Sequence, residues 1–239
     1  MYSKIKKVFY NVMYFFFAKN VEDIYDKIKK YDYVSFDIFD TLIKRTCGTP
    51  ENVFYIMERQ AGIDNFRIKR IAAQNKAKKN TKNNEITIKE IYDNFGNLTE
   101  EQKNFLINLE IKTENLVCKR NKEIYELYRY CLNKGKKIYI ISDMYLNLTD
   151  IEKLLYKLGY TKYEKILLSS DVMETKKSGK IFEYLINDNP GLRKNIIHIG
   201  DHPLSDFINP KKYKIKSILI KKWGRKIWNI QLTKYIKKI

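Results

Sequence analysis

The segment Tyr33–Leu42 constrains the fold more than any other part of the chain. It begins as an apolar, β-prone run and ends with Asp37, Asp40 and Thr41. An apolar run bounded by polar residues is typical of a buried parallel strand. Ligands of open α/β sheets bind outside the carboxyl ends of such strands, so Asp37 is predicted to lie where a carboxylate does chemistry. Taken alone, the segment is equally compatible with acids that only cap a strand-to-helix turn.

Two later apolar runs also end in polar side chains. Residues 137–141 lead into a serine and an aspartate, and residues 196–199 lead into the acidic motif Gly-Asp-His-Pro-Leu-Ser-Asp. A lysine precedes a helix-like segment that lies between these two runs. The polar residues that follow the three predicted strands, or lie between them, are Asp37, Ser142, Asp143, Lys176, Asp201 and Asp206.

This ordered set of motifs resembles the haloacid dehalogenase (HAD) superfamily, most of whose members are Mg²⁺-dependent phosphatases. The resemblance extends from about residue 32 to about residue 222, and the acidic motif that begins at Gly200 is its most specific part. It implies an α/β fold, with a doubly wound, Rossmann-like parallel sheet and an inserted helical cap. The variant first motif, Asp37 to Thr41, also resembles a subgroup of bacterial HAD proteins that accompany, or are fused to, glycosyltransferases of surface-polysaccharide synthesis.

The resemblance implies a nucleophile and a metal site. Asp37 would attack phosphorus and form an aspartyl-phosphate, and the ligands of Mg²⁺ would be Asp37, the backbone carbonyl of Phe39, Asp201 and Asp206. A carboxylate that faces a phosphate is repelled by it, so a cation is needed between them. Carboxylate and carbonyl oxygens are ligands that Mg²⁺ accepts.

The resemblance also implies a phosphate-binding set. Ser142 would donate a hydrogen bond to a phosphoryl oxygen, and Lys176 would neutralise charge on the phosphate and on the nucleophile. Thr41 and Asp143 are expected to line the same site. Lys176 stands six residues before an apolar aromatic residue, as the lysine of the family does, but two other lysines compete for this role, namely Lys177 and Lys180.

The first motif departs from the family pattern. The family's second aspartate, which is the general acid/base, aligns with Phe39, and Asp40 falls where glycine is usual. General acid/base catalysis is worth about 10²–10⁴-fold, so its absence predicts a slow phosphatase unless another group replaces it. Three interpretations follow: Asp40 serves instead, a residue of a neighbouring loop substitutes, or the protein does something other than ordinary phosphomonoester hydrolysis. The loop candidates are Asp143, Tyr145 and His202.

The same departure leaves other functions open. Dehalogenases of the superfamily carry an aromatic residue at the position of Phe39, but they do not need the metal, so the acidic motif favours phosphoryl chemistry. We therefore expect an Mg²⁺-dependent phosphohydrolase of a small phosphorylated metabolite, for which a sugar phosphate is one candidate. The alternatives are a HAD-fold binding module that has lost turnover, in which a glycosyltransferase pathway would supply the partner, and a dehalogenase-like hydrolase.

The pattern of elements predicts four regions. Residues 1–30 form an N-terminal helical segment, 31–46 and 134–222 form the Rossmann-like core, 47–133 form a helical cap of the C1 type, and 223–239 form a C-terminal amphipathic helix. Helix signals fill the predicted cap, where no strand is expected. Strands and helices alternate after residue 135, which favours a parallel sheet with helices on both faces.

The composition allows a packed core but not a disordered chain, because 44% of the 239 residues are hydrophobic. The net charge of +19 suggests nucleic acid, an anionic membrane or an anionic substrate as partners. Lysine, asparagine, isoleucine and tyrosine are all abundant and the positive charges are dispersed, so compositional bias is the preferred explanation. Nucleic-acid binding is accordingly not expected.

The N-terminal segment and the cysteines indicate where in the cell the protein is expected. The apolar stretch Val8–Ala18 follows three lysines, but it is too short to span a bilayer and no cleavage site follows it. We expect a helix that packs on the domain, with a position on a membrane surface as the alternative. Three widely spaced cysteines, Cys47, Cys118 and Cys131, indicate reduced thiols and a cytoplasmic protein.

Overall fold

The computed structural model describes residues 2–221, so the predicted C-terminal helix (223–239) lies outside the described residues. The strands are β1 (Tyr33–Phe36), β2 (Ile43–Arg45), β3 (Cys118–Arg120), β4 (Lys137–Ser142), β5 (Lys165–Leu168), β6 (Ile196–Gly200) and β7 (Lys216–Leu219). The α-helices are α1 (Tyr2–Phe17), α2 (Ile24–Ile28), α3 (Pro50–Ala61), α4 (Phe66–Asn80), α5 (Ile88–Asp93), α6 (Glu100–Val117), α7 (Lys122–Asn133), α8 (Leu148–Lys157), α9 (Ser169–Val172), α10 (Lys180–Asp188) and α11 (Asn209–Lys212).

A five-stranded parallel sheet forms the centre of the molecule, in the order β5-β4-β1-β6-β7. Alternate side chains of its strands enter two separate apolar clusters, one on each face. Helices α7 and α8 contribute to the first cluster and α10 to the second. The prediction of a doubly wound α/β fold is therefore confirmed. Strand β1 lies in the middle, between the two other strands whose ends carry the polar motifs.

Helices α3 to α6 form an insertion between β2 and β3, which pair antiparallel as a short ribbon. The expectation of no strand between residues 47 and 133 was wrong, because β3 lies there. A strand of three residues is too short to show a period, and its pairing partners are 73 to 77 positions away. Helix α7 contributes Ile124, Leu127 and Cys131 to the core cluster, which also contains residues of α3 and α6.

Side chains that accept hydrogen bonds from the first turn fix the starts of several helices. Thr87 and Thr99 each form a capping box, with Glu90 and Gln102 respectively, so α5 and α6 begin as the sequence predicts. Helix α8 begins at Leu148, because the side chain of Asn147 accepts a hydrogen bond from the backbone N–H of Asp150 at 2.9 Å.

Helix α1 packs against the last strand and the turn that precedes it. Met13 and Ala18 form a small apolar cluster with Phe207 and Leu219. Lys19 then forms a parallel bridge with Ile220, which fixes the end of the helix to the edge of the sheet. Between residues 2 and 221 no helix is both long enough and apolar enough to cross a bilayer.

Candidate active site

The polar motifs meet at one edge of the sheet because β4 and β6 flank β1 in parallel. Parallel strands point their carboxyl ends to the same edge, which is where ligands of such sheets bind. The backbone N–H of Asp37 donates to the carbonyl of Ile199 at 3.0 Å, so Asp37 continues the ladder between β1 and β6. Ser142 ends β4 and Asp201 follows β6 directly.

Three carboxylates form an acidic cluster at this edge. One oxygen each from Asp37, Asp201 and Asp206 can be chosen so that all lie within 4.8 Å of one another. All three residues are buried, at 4%, 6% and 1% exposure. Grouped carboxylate oxygens are suitable ligands for a hard cation such as Mg²⁺. The carbonyl of Phe39 remains a predicted fourth ligand.

Lys176 is the lysine that enters this cluster. Its ammonium group donates to Asp37 and, at 2.6 Å, to Asp206. Its own backbone is held on both sides, since its N–H donates to Asp143 at 2.6 Å and its carbonyl accepts from Asn209 at 2.8 Å. Lys176 is 3% exposed, whereas its two competitors in the sequence are exposed, namely Lys177 and Lys180.

Burial and charge shift the pKa values of the cluster in opposite directions. Burial raises the pKa of Asp37 to about 8, with the charge of Lys176 acting against it and those of Asp206 and Asp201 adding to it. Burial also acts to raise the pKa of Asp206, but Lys176 and His198 outweigh it and hold that pKa below its usual range. Burial opposes the charge on Lys176, yet Asp206 and Asp37 raise its pKa. The one lysine therefore stays charged among three acids.

The loop after β6 is built to hold Asp206. A Cβ atom at Gly200 would overlap the carboxylate of Asp206, so only glycine fits there. The backbone N–H of His202 donates to that carboxylate at 2.9 Å, and the Nε2 atom of His198 lies 3.2 Å from it. His198 is fully buried on β6, and its Nδ1 atom hydrogen-bonds Ser35 at 2.8 Å. Sequence reasoning missed His198, whose only signal was a polar residue inside an apolar strand.

The other predicted phosphate-binding residues occupy different positions. The hydroxyl of Ser142 is buried and donates to Asp37 at 3.4 Å, so it lies beside the nucleophile position. Thr41 is also fully buried, and its hydroxyl has no hydrogen-bond partner within the described part of the chain. Asp143 accepts hydrogen bonds from the backbone N–H groups of Lys176 and Lys177, at 2.6 and 3.3 Å. Asp143 thus anchors the loop that carries the buried lysine.

The candidate acid/base residues differ in how firmly they are held. Asp40 is exposed and has a φ of 60°, in the left-handed region that favours glycine, which matches its place at the family's glycine position. Tyr145 contacts Glu110 of the insertion, and burial raises its pKa well above the usual value. The Nδ1 atom of His202 accepts a hydrogen bond from the backbone of Ser205 at 3.1 Å. The guanidinium of Arg45 stacks 4.0 Å from the ring of Phe39.

A cavity of about 660 Å³ opens between the sheet edge and the helical insertion. It is lined from the sheet side by Phe39, Asp40, Asp143 and Lys177. From the other side it is lined by residues that sequence reasoning missed, because no motif marks them, among them Arg45, Gln74, Asn75, Lys78, Asn84 and Glu85. The mixture of amide, carboxylate and ammonium groups makes it a site for a polar ligand.

Solved structures with the same architecture are HAD hydrolases. A 2-haloacid dehalogenase from Pseudomonas syringae superposes with a TM-score of 0.60 at 14% identity, over 86% of this chain and 98% of that one. A predicted phosphoglycolate phosphatase from Haemophilus somnus gives 0.56 at 12% identity, over 87% and 92% of the two chains. A HAD-family enzyme from Bacteroides thetaiotaomicron, solved with magnesium and inorganic phosphate, gives 0.55 at 17% identity, over 82% and 96%.

These likenesses establish the fold. The chain has the α/β fold of the HAD hydrolases, with an acidic cluster that can hold a metal ion at the carboxyl edge of its sheet. No protein-family model matches the sequence, and no curated protein matches it.

Proposed function

We propose that the protein is an Mg²⁺-dependent phosphohydrolase of the HAD type, which acts on a small phosphorylated metabolite through an aspartyl-phosphate on Asp37. The observation that carries this proposal is the meeting of Asp37 with Asp201, Asp206, Ser142 and Lys176 at one edge of the sheet. The three grouped carboxylates offer the oxygen ligands that a divalent cation such as Mg²⁺ accepts.

The reaction has two steps at Asp37. One carboxylate oxygen forms a bond to phosphorus while the bond to the ester oxygen breaks, and the leaving oxygen takes a proton. Water then attacks the phosphorus of the aspartyl-phosphate, which releases inorganic phosphate and restores the carboxylate. A bound Mg²⁺ would neutralise charge on the phosphoryl oxygens. Its ligands would be the carboxylates of Asp37, Asp201 and Asp206, with the carbonyl of Phe39 as a further ligand.

Lys176 and Ser142 support the nucleophile. The ammonium of Lys176 already holds Asp37 and Asp206, so it orients the attacking carboxylate and adds positive charge where the phosphoryl group would bind. The hydroxyl of Ser142 lies within hydrogen-bonding reach of Asp37 and can turn to a phosphoryl oxygen. Thr41, whose buried hydroxyl has no partner among residues 2–221, is a further donor to this group.

Asp40 is the proposed general acid/base. It lies at the rim of the cavity, it is exposed, and it follows Phe39 directly, so a change of backbone or side-chain torsion brings its carboxylate toward a leaving group. The other candidates are already engaged, since Asp143 holds the loop of Lys176, and Tyr145 contacts Glu110.

The cavity supports a small polar substrate. Its volume of about 660 Å³ matches a ligand of metabolite size, and its amide and lysine side chains match hydroxyl and anionic groups, as a sugar phosphate offers. The likeness of the first motif to the glycosyltransferase-associated HAD proteins is the reason to include intermediates of surface-polysaccharide synthesis among the candidates. The aromatic Phe39 supports a dehalogenase-like alternative, but the acidic cluster does not.

The test is release of phosphate from a panel of phosphorylated sugars and nucleotides, with Mg²⁺ or with EDTA. The wild type should turn over at least one substrate only with Mg²⁺, and Asp37→Asn should lower turnover by at least about 10³-fold. Asp188→Asn is the matched control, because it makes the same change at a surface pair with Lys165. If the folded wild type releases no phosphate from any substrate of the panel, the binding-module alternative would be favoured.

The acid/base assignment has its own test. Asp40→Asn should lower kcat by about 10²-fold while KM changes little, because the carboxylate acts on the leaving group rather than in binding. Phe39→Asp, which restores the family's acid, should recover much of this loss in the Asp40→Asn background. Full activity of Asp40→Asn would show that another group donates the proton.

A further inference from the structure

Helix α1 presents an apolar stripe to solvent. Ile5, Val8, Phe9, Val12, Phe15 and Phe16 recur at spacings of three and four residues, so they lie on one side of the helix. All six are exposed, with Phe15 at 82%, Phe16 at 65% and Ile5 at 63%. Of the twelve large hydrophobic residues that are exposed in the described chain, seven belong to this one helix. Such a concentration marks an interaction surface rather than scattered exposure.

The opposite side of α1 is fixed to the protein. Met13 packs against Phe207 and Leu219, and the hydroxyl of Tyr14 donates to the backbone carbonyl of Asp201 at 2.6 Å. The ring of Tyr10 meets the ring of His202 edge-on, with 5.0 Å between the centroids. The helix is thus held firmly enough to present its apolar stripe in one direction, next to the loop that carries the acidic cluster.

The charges that α1 itself carries are of one sign. The helix contains no acidic residue, and Lys6 and Lys7 are exposed on its first turns. The apolar stripe is therefore accompanied on its own helix by positive charge alone.

These charges discriminate between the possible occupants of the stripe. A second copy of the chain would bring two surfaces of the same sign together, each on a protein of net charge +19. A bilayer that contains anionic lipids accepts both features, because phenylalanines enter the interface while lysines meet the headgroups.

We propose that α1 docks the protein on the surface of anionic lipid bilayers, with its apolar stripe in the interface. The helix would lie along the membrane without crossing it. Because the other side of α1 contacts Asp201 and His202, docking would also hold the candidate active site close to the lipid surface.

The test is flotation of the full chain with vesicles of phosphatidylcholine alone or mixed with phosphatidylglycerol. Binding is expected only with phosphatidylglycerol, and it should fall steeply as NaCl rises from 50 to 500 mM, because the lysine–headgroup attraction is screened. Phe15→Ser/Phe16→Ser should weaken binding by about tenfold or more for each phenylalanine removed.

The matched control is Phe105→Ser/Tyr156→Ser, which removes two exposed aromatic residues elsewhere, at 51% and 73% exposure, and should bind as the wild type does. Unchanged thermal unfolding would show that both variants are folded. No binding of the wild type to anionic vesicles at low salt, or equal losses in both variants, would overturn the proposal.

Two further outcomes would assign the stripe to another occupant. A lipid-free dimer that Phe15→Ser/Phe16→Ser disperses, seen by light scattering, would identify a second copy as the occupant. Strong protection of Phe15 and Phe16 from hydroxyl-radical labelling in a lipid-free monomer would show that the protein covers its own stripe. Either result would replace the membrane proposal.

Discussion

Two clusters of buried charge, one in the helical insertion and one at the sheet edge, differ in how their charges are arranged. In the helical insertion, Arg70 and Glu110 are both fully buried and form two hydrogen bonds with each other, at 2.7 and 2.8 Å. The hydroxyl of Tyr92 donates to the same glutamate at 2.7 Å. At the sheet edge, Asp37 and Asp206 share the ammonium of Lys176, and Asp201 lies beside them.

The difference separates a closed ion pair from a group of acids. The pair in the insertion satisfies itself, because each charge has its counter-charge and the rings of Phe54 and Tyr145 lie against the guanidinium. The cluster at the sheet edge instead brings three carboxylates together, so it can offer several oxygen ligands to a cation. Removing a charge from the ion pair should therefore change the free energy of unfolding, whereas removing one from the acidic cluster should change the binding of Mg²⁺.

The largest expected effect on stability is in the ion pair of the insertion. Arg70→Met would leave Glu110 charged and buried without its partner, which should lower the free energy of unfolding by about 3–5 kcal/mol. Urea unfolding measures this loss. The double variant Arg70→Met/Glu110→Leu should recover most of it, because both charges are gone. A single variant as stable as the wild type would contradict the structural role of the pair.

The stability conferred by the acidic cluster should respond to metal instead. At a concentration 100 times its Kd, Mg²⁺ should raise the free energy of unfolding of the wild type by about 2.7 kcal/mol. Asp201→Asn should lose most of this gain, because one ligand is removed, whereas Asp188→Asn should keep it. Arg70→Met should gain as much from Mg²⁺ as the wild type does. Equal gains in Asp201→Asn and the wild type would show that the ion binds elsewhere.

The prediction with the least bearing on stability concerns the thiols, all three of which are free and buried. Burial raises the pKa of Cys47 to about 12, with Glu114 adding to this shift and Arg45 opposing it. Burial likewise raises the pKa of Cys131 to about 12. A raised pKa keeps the thiol protonated at pH 8, so alkylation by iodoacetamide should be about 10³-fold slower than in the unfolded chain.

Mass spectrometry of the alkylated peptides measures these rates, and the urea-unfolded protein is the control. Rapid labelling of a native thiol at pH 8 would contradict the prediction, because it would show a thiol that is accessible and ionised in the folded protein.

Much of the sheet could be predicted from the sequence because the signals are local. An apolar run bounded by polar residues identifies a buried strand in a few residues, and capping residues such as Thr87 and Thr99 mark helix starts in the same way. The order of the motifs also indicated which strands carry chemistry, since a parallel sheet brings their carboxyl ends to one edge.

Other features depend on contacts between distant residues. The ribbon of β2 and β3 was missed, because three-residue strands have no period and gain their hydrogen bonds only from each other. The pair of Arg70 and Glu110 joins residues 40 positions apart, and no pattern in the sequence connects them. Among three nearby lysines, only the tertiary structure selects Lys176 for burial, because Asp143 and Asn209 fix its backbone.

By itself, the sequence determined the class of sheet, the order of its polar motifs and the identity of the acids at its edge. Burial patterns and helix caps depend on residues that are close together in the sequence, so they can be recognised before the fold is known. The tertiary structure decided how the charges are matched, which side of α1 faces solvent and how the cavity is lined. Those outcomes depend on which distant side chains meet, and that is settled only when the whole chain packs.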